Sequence, residues 1–436
     1  MLVRSAVRDH FDAVLAQGEA FFEAHAAELA TACWGMARRF HKGGKLLVHG
    51  AAGPAFSDAQ HNAVEFMHPV LVGKRALPAI AVRNAAHMAL LAGPDDVSLG
   101  VTGGDMALLP PGLMVAFGDA GTCDAQHCFA VGSGDPMVSQ EIQETAYHEL
   151  WELVHVFFEH EGLLAEGCTD DVCITCGDVA LPGAIVTISG TTALVRTAQG
   201  EEETDLALVG PVVPGDLVLV HGGVAIERVK PIDTFSQEFY PFLTNEAVDV
   251  PGVLADVAAS VKMKWLEIAA MRRATDIGAV EAALDTLRAR LAAGAQVLVF
   301  GNGGSATDSA DFAADLRDAG VRAFDLCDEP AVITAIGNDI GFEEIFARQV
   351  IPLGKAGDVA IGISTSGRSG NVGRGLLQAH KQGLTTIALA GYGGGDWTGA
   401  EYIDHLLVTD STYIPRIQEA QATIYHALVK GLEEHR

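Results

Sequence analysis

QVLVFGNGGSATDSADFAADL, residues 296–316, and KLLVHGAAGPAFSDAQHNAVEF, residues 45–66, are two versions of one pattern. In each, a short apolar run enters a glycine-containing turn and passes into a helix-forming stretch. A second pair of segments repeats in the same order. SQEIQETAYHELW (139–151) places Gln140 and His148 where RIQEAQATIYHALVK (416–430) has Gln418 and His426. Matched segments in matched order point to two divergent copies of one domain. Strand, tight turn and helix is the repeating unit of a doubly wound parallel sheet.

Outward from 296–316, the second copy opens with the helical stretches 253–274 and 278–294. It then alternates strand and helix, with strands expected in QVLVFGNGG (296–304), AVITAIG (331–337), DVAIGISTSG (358–367), TTIALAGYGGG (385–395) and HLLVTD (405–410). The first copy has expected strands in KLLVHGAAG (45–53) and GLMVAFGDAG (112–121), then a long amphipathic helix over 138–162 ended by Gly162. Between the copies, about 172–230, the chain turns rich in Val, Thr and Ile, with Ser-Gly, Gln-Gly, Val-Pro-Gly-Asp and Gly-Gly turn signals. That pattern predicts a small antiparallel β module of barrel type. The expected fold is α/β: two doubly wound parallel-sheet domains, 1–165 and 245–436, with a small OB-like β-barrel, 168–232, between them. A length of 436 residues suits about three domains.

Acidic residues outnumber basic ones, 56 Asp+Glu against 28 Lys+Arg, for a net charge of −28. That field disfavours nucleic acid and anionic membrane, so a phosphate-bearing ligand must be held by local donors. The N-terminal 25 residues carry Asp and Glu at helical spacing instead of the uninterrupted apolar stretch of a signal peptide. No apolar run approaches the roughly 18 residues of a membrane span. Seven scattered cysteines argue against a disulfide scaffold. The expectation is a soluble, cytoplasmic protein.

Two loops of the second copy suit an anion. In VFGNGGSATDSADF (299–312), glycines let backbone N–H groups approach, and a helix N-terminus follows. In GISTSGRSGNVGRG (362–375), Ser364, Thr365, Ser366 and Ser369 offer hydroxyls at another strand's carboxyl end, where doubly wound sheets bind ligands. Each loop alone reads as turn residues; together they favour phosphate. These loops, AIGNDIGFEEIF (335–346) and the terminal RIQEAQATIYH closely resemble the sugar isomerase (SIS) domain of phosphoheptose isomerases. The resemblance implies a five-stranded parallel sheet and a homo-oligomer. It also implies a sugar phosphate held by Ser305, Ser364, Thr365, Ser366 and Ser369, with Asn302, Asp339 and Gln418 near the sugar.

The family pairs a His and a Glu four residues apart after its glycine loop. They form a zinc and acid–base site with the Gln and His of the terminal helix. In the second copy the pair is Asp311 and Asp315, which with Gln418 and His426 make a set for a divalent cation but not an isomerase pair. The first copy keeps His61 and Glu65, one helical turn apart, with Gln140 and His148. The resemblance makes these four the metal set and Glu65 and His148 the catalytic pair. The chemistry is aldose–ketose interconversion, with a base at C2 and a cation or acid at the carbonyl. The first copy's loop, however, reads AAGPA (51–55), with Pro54 lacking a donor and Ala55 replacing the cradle serine, and 85–106 has no counterpart of STSGRS. The halves either form a pseudo-dimer with composite sites or were each retained for scaffolding and binding. The second is favoured, because splitting one site demands new geometry.

The central module begins at a thiol segment, EGCTDDVCITCGD (166–178), with Cys168, Cys173 and Cys176. A Cys-x-x-Cys serves as half a zinc site, a redox pair or a soft metal ligand. CITCGDVALPGAIVTI together with PGDLVLVHGGVAI (214–226) resembles the HypC/HupF family of [NiFe]-hydrogenase formation chaperones. That resemblance implies a thiolate, Cys173 before Cys176, carrying iron transiently with His221 nearby. It also implies a partner among hydrogenase maturation proteins or the hydrogenase large-subunit precursor. The leading expectation is therefore a hydrogenase maturation accessory factor with phosphosugar-binding SIS domains. The alternatives are a phosphoheptose-type isomerase and a non-catalytic phosphosugar sensor.

Overall fold

The computed structural model describes residues 5–69, 74–101, 111–118, 125–159, 163–164, 181–197, 200–206, 209, 211–221, 224–229 and 250–434. Cys168, Cys173, Cys176 and the His221 side chain lie outside the described residues, as do Gly162, the counterpart loop at 102–106 and the expected domain boundaries. Among the described residues, no helix is long and apolar enough to cross a membrane.

The repeat seen in the sequence is a repeat of folds. In the first copy, strands β1 (Leu46–His49), β2 (Ala79–Val82), β3 (Val97–Gly100), β4 (Leu113–Phe117) and β5 (His127–Phe129) form a sheet of order 2-1-3-4-5. Every neighbouring pair is parallel. Helices α1 (Ala6–His41), α2 (Pro54–Met67), α3 (Ala85–Leu91) and α4 (Pro136–Glu159) accompany it. In the central module, β6 (Leu181–Ser189), β7 (Thr192–Thr197), β8 (Gly200–Asp205), β9 (Leu217–His221) and β10 (Val224–Val229) form one sheet. A single pair, Val224 with Asp205, joins its two ends, so the sheet nearly closes on itself.

The second copy begins with α5 (Val250–Ala274) and α6 (Ile277–Ala292). Its strands are β11 (Val297–Phe300), β12 (Ala323–Asp325), β13 (Val359–Ser364), β14 (Thr385–Ala390) and β15 (His405–Val408), again all parallel. The order β12-β11-β13-β14-β15 is that of the first copy. Between them run α7 (Gly304–Asp318), α8 (Pro330–Asp339), α9 (Ile345–Leu353) and α10 (Gly370–Lys381), and α11 (Ile414–Glu433) closes the chain. Residues 331–337, expected as a strand, are helix α8. Pro330 stands at its first helical position, where its fixed φ favours a helix start. The edge strand is the three-residue β12, too short to show a period.

The halves interlock through their long helices. Val257, Val261, Trp265 and Ile268 of α5 enter the first copy's apolar core, while Val7 and Phe11 of α1 enter the second copy's. Phe22 of α1 stacks on Trp265 of α5 with ring centroids 5.1 Å apart. Gly18 makes this approach possible, because a Cβ there would lie 2.0 Å from the Trp265 ring. Gly18→Ala is expected to destabilise the chain by roughly 1–3 kcal/mol through overpacking, despite alanine's better helix propensity. A lowered thermal midpoint tests it, and an unchanged or raised one contradicts it.

Candidate functional site

Helices α2 and α7 start from equivalent glycines. Gly53 (φ 55°) and Gly303 (φ 57°) each take a left-handed conformation that L side chains resist, and each caps its helix. Counted from these caps, His61 and Glu65 of α2 correspond to Asp311 and Asp315 of α7. The two helices pack against each other, and so do α4 and α11.

This arrangement exchanges the glutamines. Gln418 of the second copy brings Nε2 to 3.2 Å from His61 Nε2 in the first. Gln140 of the first copy donates to Asp311 Oδ2 of the second at 2.8 Å. The metal set expected from the sequence, His61, Glu65, Gln140 and His148, is therefore corrected at one member: Gln418 stands where Gln140 was assigned. Likewise Gln140, not Gln418, lies with Asp311. The reason is geometric, since each terminal helix crosses the interface and reaches the opposite copy.

Around His61 the donors converge. His148 Nε2 is 3.4 Å from His61 Nε2, and Glu65 Oε1 is 3.8 Å from the same atom. His148 is oriented from behind by Glu419, whose Oε1 lies 2.9 Å from Nδ1. His61, Glu65, His148 and Gln418 are all buried. Burial, and then the neighbouring His148, hold His61 well below the usual histidine range, so its ring is neutral with a lone pair to offer. Burial pushes the Glu65 carboxyl up. Glu65 Oε2 and Gln418 Oε1 are buried without a hydrogen-bond partner. Orphaned acceptors beside two imidazoles are what a divalent cation satisfies, so these residues fit one.

Glu144 was missed by the sequence reading. It sits one turn before His148 on α4, and its carboxylate comes within 4.8 Å of the His61 and His148 nitrogens. Burial and then Asp308 push it well above the usual carboxylate range. The repeat offered no signal for it, because Ala422 holds the matching place.

The phosphate-type loops adjoin this quartet. A Cβ on Gly304 would lie 1.9 Å from Gln418 Nε2 and 2.8 Å from His61 Nε2, so the second copy's glycine loop rests directly on the first copy's histidine. Ser305 follows in the first turn of α7 and is buried. Asn302 and Asn371 exchange amide hydrogen bonds of 2.8 and 2.9 Å, tying this loop to the start of α10. There, the Ser364 and Ser369 hydroxyls lie 2.9 Å apart and the Arg368 N–H donates to Ser366 Oγ at 3.2 Å. Thr365 follows Ser364 in this turn, and Gln421 of α11 donates to the Ser364 carbonyl at 3.4 Å. Asp339 departs from the expectation: it is exposed at the end of α8 and accepts from Asn338, with no hydrogen bond to the loops among the described residues.

Two copies of the sugar isomerase architecture, meeting at a buried His/Glu/Gln centre beside a hydroxyl-lined loop, define the class of protein. Residues 264–391 match the SIS domain model and residues 179–234 the HupF/HypC family model. The phosphoheptose isomerase of Aquifex aeolicus (strain VF5) is 41% identical over 183 residues, 41% of this chain and 91% of that protein. The one from Geobacter sulfurreducens (strain ATCC 51573 / DSM 12127 / PCA) is 39% identical over 188 residues, 42% of this chain and 98% of that protein. The C-terminal domain of glucosamine-fructose-6-phosphate aminotransferase from Francisella tularensis aligns over 98% of this chain and 94% of its own at 8% identity, TM-score 0.53, a likeness of fold alone. The chain belongs to the phosphoheptose isomerase family, through its SIS domain, and carries a HupF/HypC domain between its two SIS-like halves.

Carboxyls crowd the interface behind the quartet. Burial drives Asp308 and Asp311 well above the usual range, and lifts Asp58 to about 7. A folded-state pKa raised above the unfolded one means that the native state binds more protons between the two values. Its stability therefore falls as pH rises from about 4 to about 7. Metal-stripped chain is expected to lose melting temperature over that window, and Asp58→Asn to flatten the loss. Identical pH profiles for the two proteins would contradict this.

Proposed function

We propose that the chain is a metal-assisted aldose–ketose isomerase of a sugar phosphate, working at one composite site. The observation that carries this reading is the contact of Gly304 with His61, which sets the second copy's phosphate-type loops beside the first copy's quartet. Ser305, Ser364, Thr365, Ser366 and Ser369 hold the phosphate, with backbone N–H groups at the starts of α7 and α10 assisting. Asn302 and Gln418 face the sugar. His61, Glu65, His148 and Gln418 hold a divalent cation such as zinc, which supplies polarisation of the carbonyl. Glu65, its basicity raised by burial, takes the C2 proton through the carboxylate oxygen not on the cation, and His148, held in place by Glu419, fixes the cation against the substrate oxygens. Self-association through exposed Val332, Ile340 and Phe342 belongs to the same proposal.

Turnover of sedoheptulose phosphate tests it. Chelation is expected to abolish turnover and zinc to restore it. His61→Ala is expected to lower kcat at least about a hundredfold, and Ser366→Ala chiefly to raise KM. Binding without turnover in the zinc-loaded chain, lost in Ser366→Ala, would replace this reading with a sensor.

The family match over 179–234 favours a second role for the central module. There, an OB-like barrel with Cys173 or Cys176 and His221 carries iron transiently for a hydrogenase maturation partner or the hydrogenase large-subunit precursor. Co-purification with that precursor, lost in Cys173→Ala, is the expected result. No association in either protein would remove the role.

A further inference from the structure

A second set of donors lies across the interface from the composite site. His10 of α1, Glu141 of α4 and His426 of α11 are buried, and their ligand-type atoms lie within 4.8 Å of one another. His10 Nε2 is 2.6 Å, and His426 Nδ1 2.9 Å, from the same Glu141 oxygen, Oε1. The Thr423 hydroxyl donates to the other oxygen, Oε2, and Arg272 Nη2 stands 3.7 Å from it. Glu141 thus turns one oxygen towards two imidazoles.

The far nitrogen of His426 supports the same geometry. Its Nε2 forms a buried ion pair with Asp315 Oδ2 at 3.3 Å. Against burial, Asp315 and Glu141 lift His426 to about 9, so an ion must displace the Nδ1 proton; Asp315 then keeps the Nε2 proton while the Nδ1 lone pair faces the metal. His10, itself buried, lies at the wall of a cleft of about 430 Å³ that Asp9, Asp135, Glu433 and Glu434 also line, with Lys430 paired to Asp135 and Glu433. Such a mouth concentrates cations.

The repeat supplies an internal control. In the composite site, His148 Nδ1 meets Glu419 Oε1 at 2.9 Å, just as His426 meets Glu141. The third group on Glu419 Oε1 is the Arg416 guanidinium, which has no lone pair and stays charged. On Glu141 that place is taken by His10. An arginine closes a salt bridge, whereas a histidine adds a ligand.

We propose that His10, Glu141 and His426 form a second cation site, separate from the composite site, taking a first-row divalent ion such as zinc or cobalt. Two imidazoles and one carboxylate suit an ion of that borderline class. This proposal does not depend on the chain being an isomerase.

Cobalt titration of the metal-free full-length chain, followed by visible absorption and calorimetry, tests it. The wild-type chain is expected to bind two equivalents. His10→Arg preserves an ion pair with Glu141 but removes the lone pair, so it is expected to bind one equivalent, with melting temperature and sugar-phosphate turnover close to wild type. His61→Ala is expected to lose the other equivalent. Should His10→Arg fail to fold, His10→Gln is expected to show the same single loss. Full cobalt binding in a folded His10 variant, or wild-type binding limited to the equivalent lost in His61→Ala, would overturn the proposal. One equivalent that survives His61→Ala and vanishes in His10→Arg would uphold it while removing the cation from the composite site.

Discussion

The absence of a side chain at Gly304 is the constraint on which the site depends. Any Cβ there would collide with Gln418 and crowd His61, so the second copy's loop would have to withdraw from the first copy's helix. With hydrogen alone, the loop's N–H groups, the serine that follows and the imidazole from the other half share one small volume. The other consequences of the repeat follow from this closeness. The terminal helices must cross the interface, the glutamines must change sides, and the carboxylates of α2 and α7 must face one another with little water between them.

That last consequence sets the electrostatics. Asp58 and Asp308 occupy equivalent places on α2 and α7, and Glu144, Asp311 and Asp315 join them, against few cationic groups. Burying like charges without partners is costly, so the carboxyls either keep their protons or share a cation. On the arginine side, Arg416 bridges Glu149 of the first copy and Glu419 of the second, and Lys264 reaches Glu152. The interface is therefore zoned: one flank is closed by permanent ion pairs, while the centre depends on groups whose charge can change. Breaking a buried pair by removing one partner is more damaging than its net contribution suggests, which makes the closed flank the rigid frame for the adjustable centre.

Much of the architecture was legible because it was written twice. Strand β1 and strand β11 share an apolar run and a glycine turn, and the terminal helices share Gln and His at one spacing. The same repetition misled where symmetry and contact diverge. Gln140 was grouped with His61 because both belong to one copy, yet the side chain crosses to Asp311. For the same reason a site shared between halves looked harder to build than it is. Residues 331–337 carry strand-like composition, but Pro330 starts a helix that buries nothing fully: Ile333 and Ile336 pack against a core while Val332 is exposed. Ala422 holds the place of Glu144 in the other copy and His10 lies outside the repeated segments, so the repeat singled out neither; only the packing of separate helices does.

The divergence of the copies is itself ordered. Pro54 and Ala55 stand where Gly304 and Ser305 support the loop, and Asp311 and Asp315 stand where His61 and Glu65 supply softer and longer donors. A symmetric pair of copies would place two identical sites across the interface. Here the first copy carries the His/Glu pair and the second the hydroxyl-lined loops, and the close approach of Gly304 to His61 brings these parts together on one side of the interface. A fused chain permits this, because its halves can change independently, whereas in an assembly of identical chains every substitution appears at both sites. The side that lacks cradle and quartet is also the side where His10 stands against Glu141, in the place that the Arg416 guanidinium takes against Glu419.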